Sequence, residues 1–550
     1  IRGARHRRRP QRGAQMKMEV NVETRQPLSR LPGSTLRRVA CNVTRQPDAL
    51  DVAEHQMKAF IPKRSPLTVA AAMTMSLCAA TLILGGCGSD SATDEADSFP
   101  VPTVYAFSSR LVPGSSSVFY GGQVNRHLLI AQLKGEIAGL TAKVDGGKAY
   151  NKGDVTASLA FYYSFDKSVG GAVPHGVATV PPPLQQTWAD LGGKDLAAKT
   201  AGNDAVGQHR DWANVGVIGW PGKLSADALV RAWMAELDAL VVDRAAGKIA
   251  LGGDGKPLAE AYITASGHNL AELMQKFLLG AVAYSQGADD YLDDDTDGKG
   301  LRSDHSKADE DGPEYTALEH AWDEGFGYFG AAADYSSYSD AELAGKGGDA
   351  GRQNGVFDSN GDGKIDLFSE ANFGHALNCS KRDHGAVGRS DIDLSGAAFK
   401  AFLRGRARIT ATQLGGADAT MRAALAKDRD AALLAWEQCI SATIVHYINE
   451  VLADVALAGS AEWSHSDAAG HWSELKGFAL SLQFSRLSML NTAQIIELHA
   501  KIGDAPVLGN AAPAAIATAK SNLIAARALV MAAYGFDASL RGGDEGKGGW

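Results

Sequence analysis

Asp358, Asn360 and Asp362 place an oxygen-bearing side chain at every second position, and they open the stretch Asp358-Ser-Asn-Gly-Asp-Gly-Lys-Ile-Asp-Leu-Phe-Ser-Glu370. Calcium is a hard cation that gathers oxygen ligands from a short loop. The alternation, with Gly363 for a tight turn and Ile365 to pin the loop to a core, reproduces the first half of such a loop. Lys364 falls at the carbonyl-donating seventh position and Asp366 at the ninth. The twelfth position, where an EF-hand places its bidentate Glu, is Ser369, and Glu370 comes one residue later. The loop therefore departs from an EF-hand and is expected to close on Asp366 and Glu370. The blander alternative is an Asx-rich turn capping a helix that begins near Asp366. Asp293, Asp295 and Asp297 form a second calcium candidate, with Gly300 where the apolar pin belongs. An acidic run of this kind is more often a solvated loop.

A softer metal needs imidazole and carboxylate together, and helical bundles build such sites from facing helices. In Asp467 to Leu487 the apolar stripe runs through Ala468, Leu475, Phe478, Ala479 and Leu482 and includes His471, with Glu474 on the next turn. In Asp418 to Leu457, Glu437 lies in the middle of the apolar face of Leu433, Ile440, Ile444, Ile448, Val451 and Val455. A buried carboxylate needs a partner, a proton or a metal. His471, Glu474 and Glu437 are thus candidate transition-metal ligands, against the alternative of core groups satisfied by neighbours. In Tyr315 to Gly330, His320 and Glu324 fall opposite the apolar side and are expected to face water. No nucleophile elbow, Walker loop, zincin motif, haem motif or dinucleotide fingerprint is present.

The elements that position these residues read as helices. Apolar residues recur at three- and four-residue spacing over Arg126–Leu140, Ser225–Asp243, His268–Ser285, Ser395–Gln413, Asp418–Leu457, Asp467–Leu487 and Ala512–Tyr534, with Ser225 and Asp467 as N-caps. Val155 to Phe165 reads as extended, and the Gly/Pro-rich Val173 to Gly222 as loop with a short hairpin. The fold class is mostly α: a multi-helix bundle with long Gly/Asp-rich connections and a minor β-hairpin element.

The amino-terminal part carries a different signal. Residues 1–56 hold twelve Lys+Arg against five Asp+Glu and show no apolar periodicity, so they read as a disordered or non-native upstream extension. Residues 57–86 resemble an export signal, with Lys58, Lys63 and Arg64 before the apolar run Leu67–Leu84. That run ends in Leu84-Gly-Gly-Cys87, which resembles a bacterial lipobox with Cys87 as the lipidated residue. A membrane-spanning helix is the alternative. Gly88 after the Cys implies anchoring in outer-membrane lipid, on its periplasmic or cell-surface face. Residues 87–100 form an acidic tether, 101–536 a single helical domain, and 537–550 a disordered tail. No later segment reads as apolar and long enough to span a membrane. Taking the +7 of residues 1–56 and the +3 of residues 57–86 from the whole-chain −9 leaves −19, which disfavours nucleic acid and favours cations. In an oxidising compartment Cys379 and Cys439 are expected to pair.

Four segments carry a family resemblance: Ser116–His127, Glu319–Gly330, Asp358–Asp383 and His471–Ala479. Together they resemble the bacterial lipoprotein family called domain of unknown function 4856, for which no activity is established. The helical character is similar to imelysin-like iron-uptake proteins, whose Gly-x-His-x-x-Glu hallmark His471 and Glu474 match in their second half, with Gly470 directly before the His. The resemblance implies binding of a metal or metal-bearing ligand, with iron acquisition through a membrane receptor as the role. The alternatives are a metal-assisted, peptidase-like hydrolase using His471 and Glu474, and a structural or adhesive lipoprotein with calcium as its ion.

Overall fold

The computed structural model describes residues 99–550, apart from 205, 353, 387 and 390. The expectations for residues 1–56, the export signal, Cys87 and most of the tether lie outside the described residues. The longer helices are α1 (Gly121–Ala138), α2 (Asp154–Tyr163), α3 (Ala226–Ala245), α4 (Leu270–Leu278), α5 (Ala317–Phe329), α6 (Gly374–Gly385), α7 (Leu394–Ala411), α8 (Ala419–Leu457), α9 (His465–Ser481), α10 (Thr492–Ile502) and α11 (Pro513–Tyr534). The protein is a mostly helical bundle, and among the described residues β pairing is confined to isolated bridges.

α8 is the axis of the bundle. Asp418 caps it by accepting from Met421 N–H, and the Ala- and Leu-rich sequence that follows sustains 39 helical residues, about 58 Å. It packs against α6, α7, α9 and α11, so apolar residues on more than one face are buried. Both α8 and α11 are apolar and long enough to cross a membrane by length and composition, contrary to the sequence reading, and α8 is largely buried in the core. α4 does not stop at Leu278. It continues as π-helical turns over Leu279–Tyr284 and Gly287–Tyr291. Glycines let this wider segment approach its neighbours: a Cβ on Gly287 would stand 2.7 Å from the Trp436 ring.

Ser225 caps α3 as expected, accepting from Ala228 N–H. The cap of α9 is Ser464, which accepts from Asp467 N–H, so Asp467 is the third helical residue and not the N-cap. Val155 to Phe165 is not extended. Its β-branched and aromatic residues favour strand, but Asp238 of α3 accepts from Gly153 and Val155 N–H at 2.8 and 3.0 Å. With its first turn capped from another helix, the segment winds as α2 and buries Val155, Leu159 and Tyr163 on one face. The Gly/Pro-rich region does pair as a hairpin would, with a bridge between Pro174 and Thr187 and Trp188 N–H donating to Val173 C=O.

Two further expectations are corrected. Residues 537–550 are not a disordered tail. Trp550 is buried, donates from Nε1 to Arg382 C=O at 2.8 Å, and its own carbonyl accepts from Asn449. His320 does not face water, because the 304–316 segment folds over α5 and Asp309 meets its Nδ1 at 2.9 Å. Cys379 and Cys439 form the expected disulfide, which pins α6 to α8.

Candidate functional site

The loop at 358–370 is closed at its base by an antiparallel bridge between Val356 and Ala371. Phe357 N–H donates to Glu370 C=O and Asn372 N–H to Gly355 C=O, holding the two ends together. Gly361 and Gly363 take φ of 72° and 79°, the left-handed turns that a side chain resists. Ile365 is fully buried and bridges Pro183 in parallel, so the apolar pin read from the sequence holds the loop to the body of the protein. The helix expected to begin near Asp366 is only one turn, in which Asp366 C=O accepts from Glu370 N–H. The next helix, α6, starts at Gly374.

Inside the loop, the side-chain oxygens accept from its own backbone. Asp358 accepts from the N–H groups of Gly361, Asp362 and Gly363 at 2.8 to 3.1 Å. Asn360 accepts from Asp362 N–H, and Asp362 from Lys364 N–H, each at 2.8 Å. Buried Glu370 closes the ring, with one oxygen accepting from Ser359 and Asn360 N–H and the other from Asp366 N–H. Asp366 accepts from Gln185 and Ser369. The four carboxylates of the loop have no Lys, Arg or His ion-pair partner among the described residues.

The second acidic run is built differently. Arg486 pairs with Asp293 and Asp294, Arg429 reaches Asp294 at 3.3 Å, Arg302 pairs with Asp297, and Lys299 pairs with Asp290. Asp295 accepts from the Thr296 hydroxyl. Asp293, Asp295 and Asp297 therefore do not converge. The carboxylates with basic partners join the end of the π-helical segment to α8 and to Arg486.

The helical candidates separate as well. Glu437 is buried and fully engaged: one carboxylate oxygen accepts from the Tyr534 and Ser488 hydroxyls and from Met489 N–H, and the other from the Tyr284 hydroxyl. Glu474 accepts from the Tyr447 hydroxyl at 2.7 Å and pairs with Lys276 at 3.1 Å. His471 holds Asp454 through Nδ1 at 2.9 Å and keeps about a third of its side chain exposed. Burial pulls its imidazole down, but Asp454, Glu450 and Glu474 outweigh that and leave it above its ordinary value. His471, Glu474 and Glu437 thus belong to three separate hydrogen-bond systems. Among the described residues no three His, Cys, Asp or Glu side chains come together as a metal-holding group.

Asp454 as the partner of His471, and Tyr284 and Tyr534 as donors to Glu437, are not legible in the sequence. These pairings join residues from different helices, and helical spacing within one element does not reach them. Residues 230–344 match the family described as domain of unknown function (DUF4856), the family the sequence resembles. No curated protein matches the chain. No solved structure matches it either.

Proposed function

We propose that this is a calcium-stabilised helical lipoprotein, anchored to the outer membrane through Cys87, that acts as a binding protein at the cell envelope. The observation that carries the reading is the contrast between the two acidic segments. Around Asp293 the carboxylates near the π-helical turn are matched by arginine and lysine, whereas Asp358, Asp362, Asp366 and Glu370 share a closed loop with no ion-pair partner among the described residues. Like charges held together destabilise a fold unless a counter-charge joins them. The donor chemistry suits calcium: side-chain oxygens of Asp358, Asn360, Asp362, Asp366 and Glu370 with the carbonyl of Lys364. Asp358 Oδ2, Asn360 Oδ1, Asp362 Oδ1 and Glu370 Oε2 each accept a single N–H and so keep a lone pair for a metal. Loading requires these side chains to draw inward around the ion, which offsets two of the loop's four negative charges and holds it between Ile365 and α6.

A second reading keeps a transition metal or metal-bearing ligand, with iron acquisition as the role. One observation favours it. A metal-binding His commonly has its other ring nitrogen on a carboxylate, and Asp454 on Nδ1 leaves Nε2 of His471 open. Glu474 and Glu437 are committed elsewhere, so His471 is the residue on which this reading stands.

Fractionation of cells expressing the full chain and its Cys87→Ser variant tests the anchor. The native chain is expected in the membrane pellet and the variant in the soluble fraction. A variant that still sediments with membrane overturns the lipoprotein reading.

A further inference from the structure

Along α11 the side chains change in size. From Leu523 onward the helix buries Ala526, Arg527, Val530 and Tyr534, whereas its first two turns offer Ala514, Ala515, Thr518 and Ala519. α11 packs against both α8 and α10, but side chains this short leave space between them unfilled. Gly503, at φ 80°, ends α10 and turns the chain with no side chain to enter the gap. The result is a cleft of about 410 Å³ between α8, α9, α10 and α11, in the size range of small-molecule sites.

The floor of the cleft is apolar, made by Val451 and Val455 of α8, Trp472 of α9, Ile502 of α10 and Leu523 of α11. Its mouth is polar and rich in donors. Lys501 is the one charged side chain of the lining. Its ion pair with exposed Glu497, at 3.4 Å along α10, is of the solvent-screened kind that is readily exchanged. Asn522 lies one turn beyond Thr518 on α11, and its amide has no hydrogen-bond partner among the described residues. The carbonyls that close α10 are already taken, Ile502 by the Trp472 indole at 3.2 Å and Gly503 by Lys476 Nζ at 2.6 Å. Asp504, in the same loop, turns to Lys476 at 3.9 Å and stays out of the lining. What the mouth presents to a ligand is therefore a cation and an amide.

We infer that this cleft binds a free monocarboxylate with an unbranched apolar tail, a short- or medium-chain fatty acid. The tail lies on the floor and the carboxylate takes Lys501 Nζ and the Asn522 amide at the mouth. The charge of Lys501 selects an acid over an amine or a neutral molecule. An acyl chain within a membrane lipid carries no such carboxylate, so the cleft suits the free acid. The inference gives the binding-protein reading a ligand, but the cleft lies in the helical body, and its test depends on neither the calcium loop nor the anchor at Cys87.

The test is calorimetric titration of the full chain in lipid nanodiscs, against empty nanodiscs, with butanoate, hexanoate and octanoate as probes and 1-hexanol and hexylammonium as controls. The acids are expected to bind saturably and to tighten about fourfold for each methylene that reaches the floor. Hexanol and hexylammonium are expected to bind about tenfold more weakly than hexanoate, because neither can use Lys501. Lys501→Gln keeps the surface of α10 and is expected to remove the preference of hexanoate over hexanol. Ala519→Leu, a helix-favouring change at a half-buried position, fills the cleft and is expected to abolish octanoate binding while leaving the melting temperature of the free protein near its native value. Absence of saturable binding by all three acids overturns the inference. So does hexanol binding as tightly as hexanoate, which would mark a cleft for lipid tails, and so does octanoate binding that is unchanged in Ala519→Leu.

Discussion

Replacing Glu437 distinguishes a metal ligand from a buried structural hub. Its carboxylate accepts from Tyr284, Tyr534, Ser488 and Met489 N–H and has no ion-pair partner among the described residues. Glu437→Ala leaves four donors without their acceptor. Each unsatisfied buried donor costs about 1–3 kcal/mol. Rotation of the three hydroxyls recovers part of the sum, so the expected loss is about 3–5 kcal/mol. Glu437→Gln keeps a carbonyl for the side with three donors and turns its amide to the Tyr284 hydroxyl, at an expected cost of about 1 kcal/mol. Burial raises the Glu437 carboxyl, and the hydrogen bonds from Tyr284 and Tyr534 only partly offset it. The folded protein then holds a proton that the unfolded chain releases near pH 4.3, so this stability is present in full below about pH 4.3 and is lost as pH rises through the folded value. Glu437→Gln removes that dependence. Urea unfolding of the three proteins, followed by circular dichroism from pH 4 to 8, measures both effects. An alanine variant within about 1 kcal/mol of the native protein refutes the reasoning, as does a glutamine variant with the native pH slope.

Other parts of the structure carry expectations of their own. The Cys379–Cys439 disulfide closes a sequence separation of 60 residues, and chain entropy assigns such a link about 4 kcal/mol. Cys379→Ser/Cys439→Ser is therefore expected to show a markedly lower urea midpoint, and an unchanged midpoint contradicts this. Burial drives the His127 imidazole down to about 4 despite its bonds to the Gly327 and Tyr328 carbonyls. The unfolded chain takes up that proton near pH 6.5, so about 3 kcal/mol is fully present above pH 6.5 and is lost as pH falls toward 4. Proton NMR is expected to find His127 neutral at pH 5, and an imidazolium there sinks the assignment.

Much of the architecture was legible from apolar spacing. The three- and four-residue period found α1, α3, α4, α7, α8, α9 and α11 because each buries a continuous face. α2 was missed because its β-branched and aromatic residues favour strand, and its helical start depends on Asp238, more than eighty residues away in sequence. α10 was missed although Asn491 and Gln494 form a capping box at its start and Ile495, Leu498 and Ile502 keep helical spacing. At the candidate sites the partners of each side chain come from other helices, beyond the reach of periodicity within one element. Placing Glu437 on the inner face of α8 was correct, but its two tyrosine partners come from the π-helical segment and α11. His471 found Asp454 rather than the carboxylate three residues along its own helix. The loop at 358–370 was the most readable site because its ring of acceptors and N–H donors lies within one short stretch, and Ile365 anchors it as its place in the motif implied.

The most direct test of the central claim is the calcium content of the full chain, purified without chelator and set beside its Asp362→Ala variant. Elemental analysis is expected to find about one calcium or more per native chain and clearly less in the variant. Saturating calcium at about a hundred times its dissociation constant is worth about 2.7 kcal/mol to the folded state, so chelation is expected to lower the unfolding midpoint of the native protein. A native chain that carries no calcium, or a variant that carries as much as the native chain, contradicts the account.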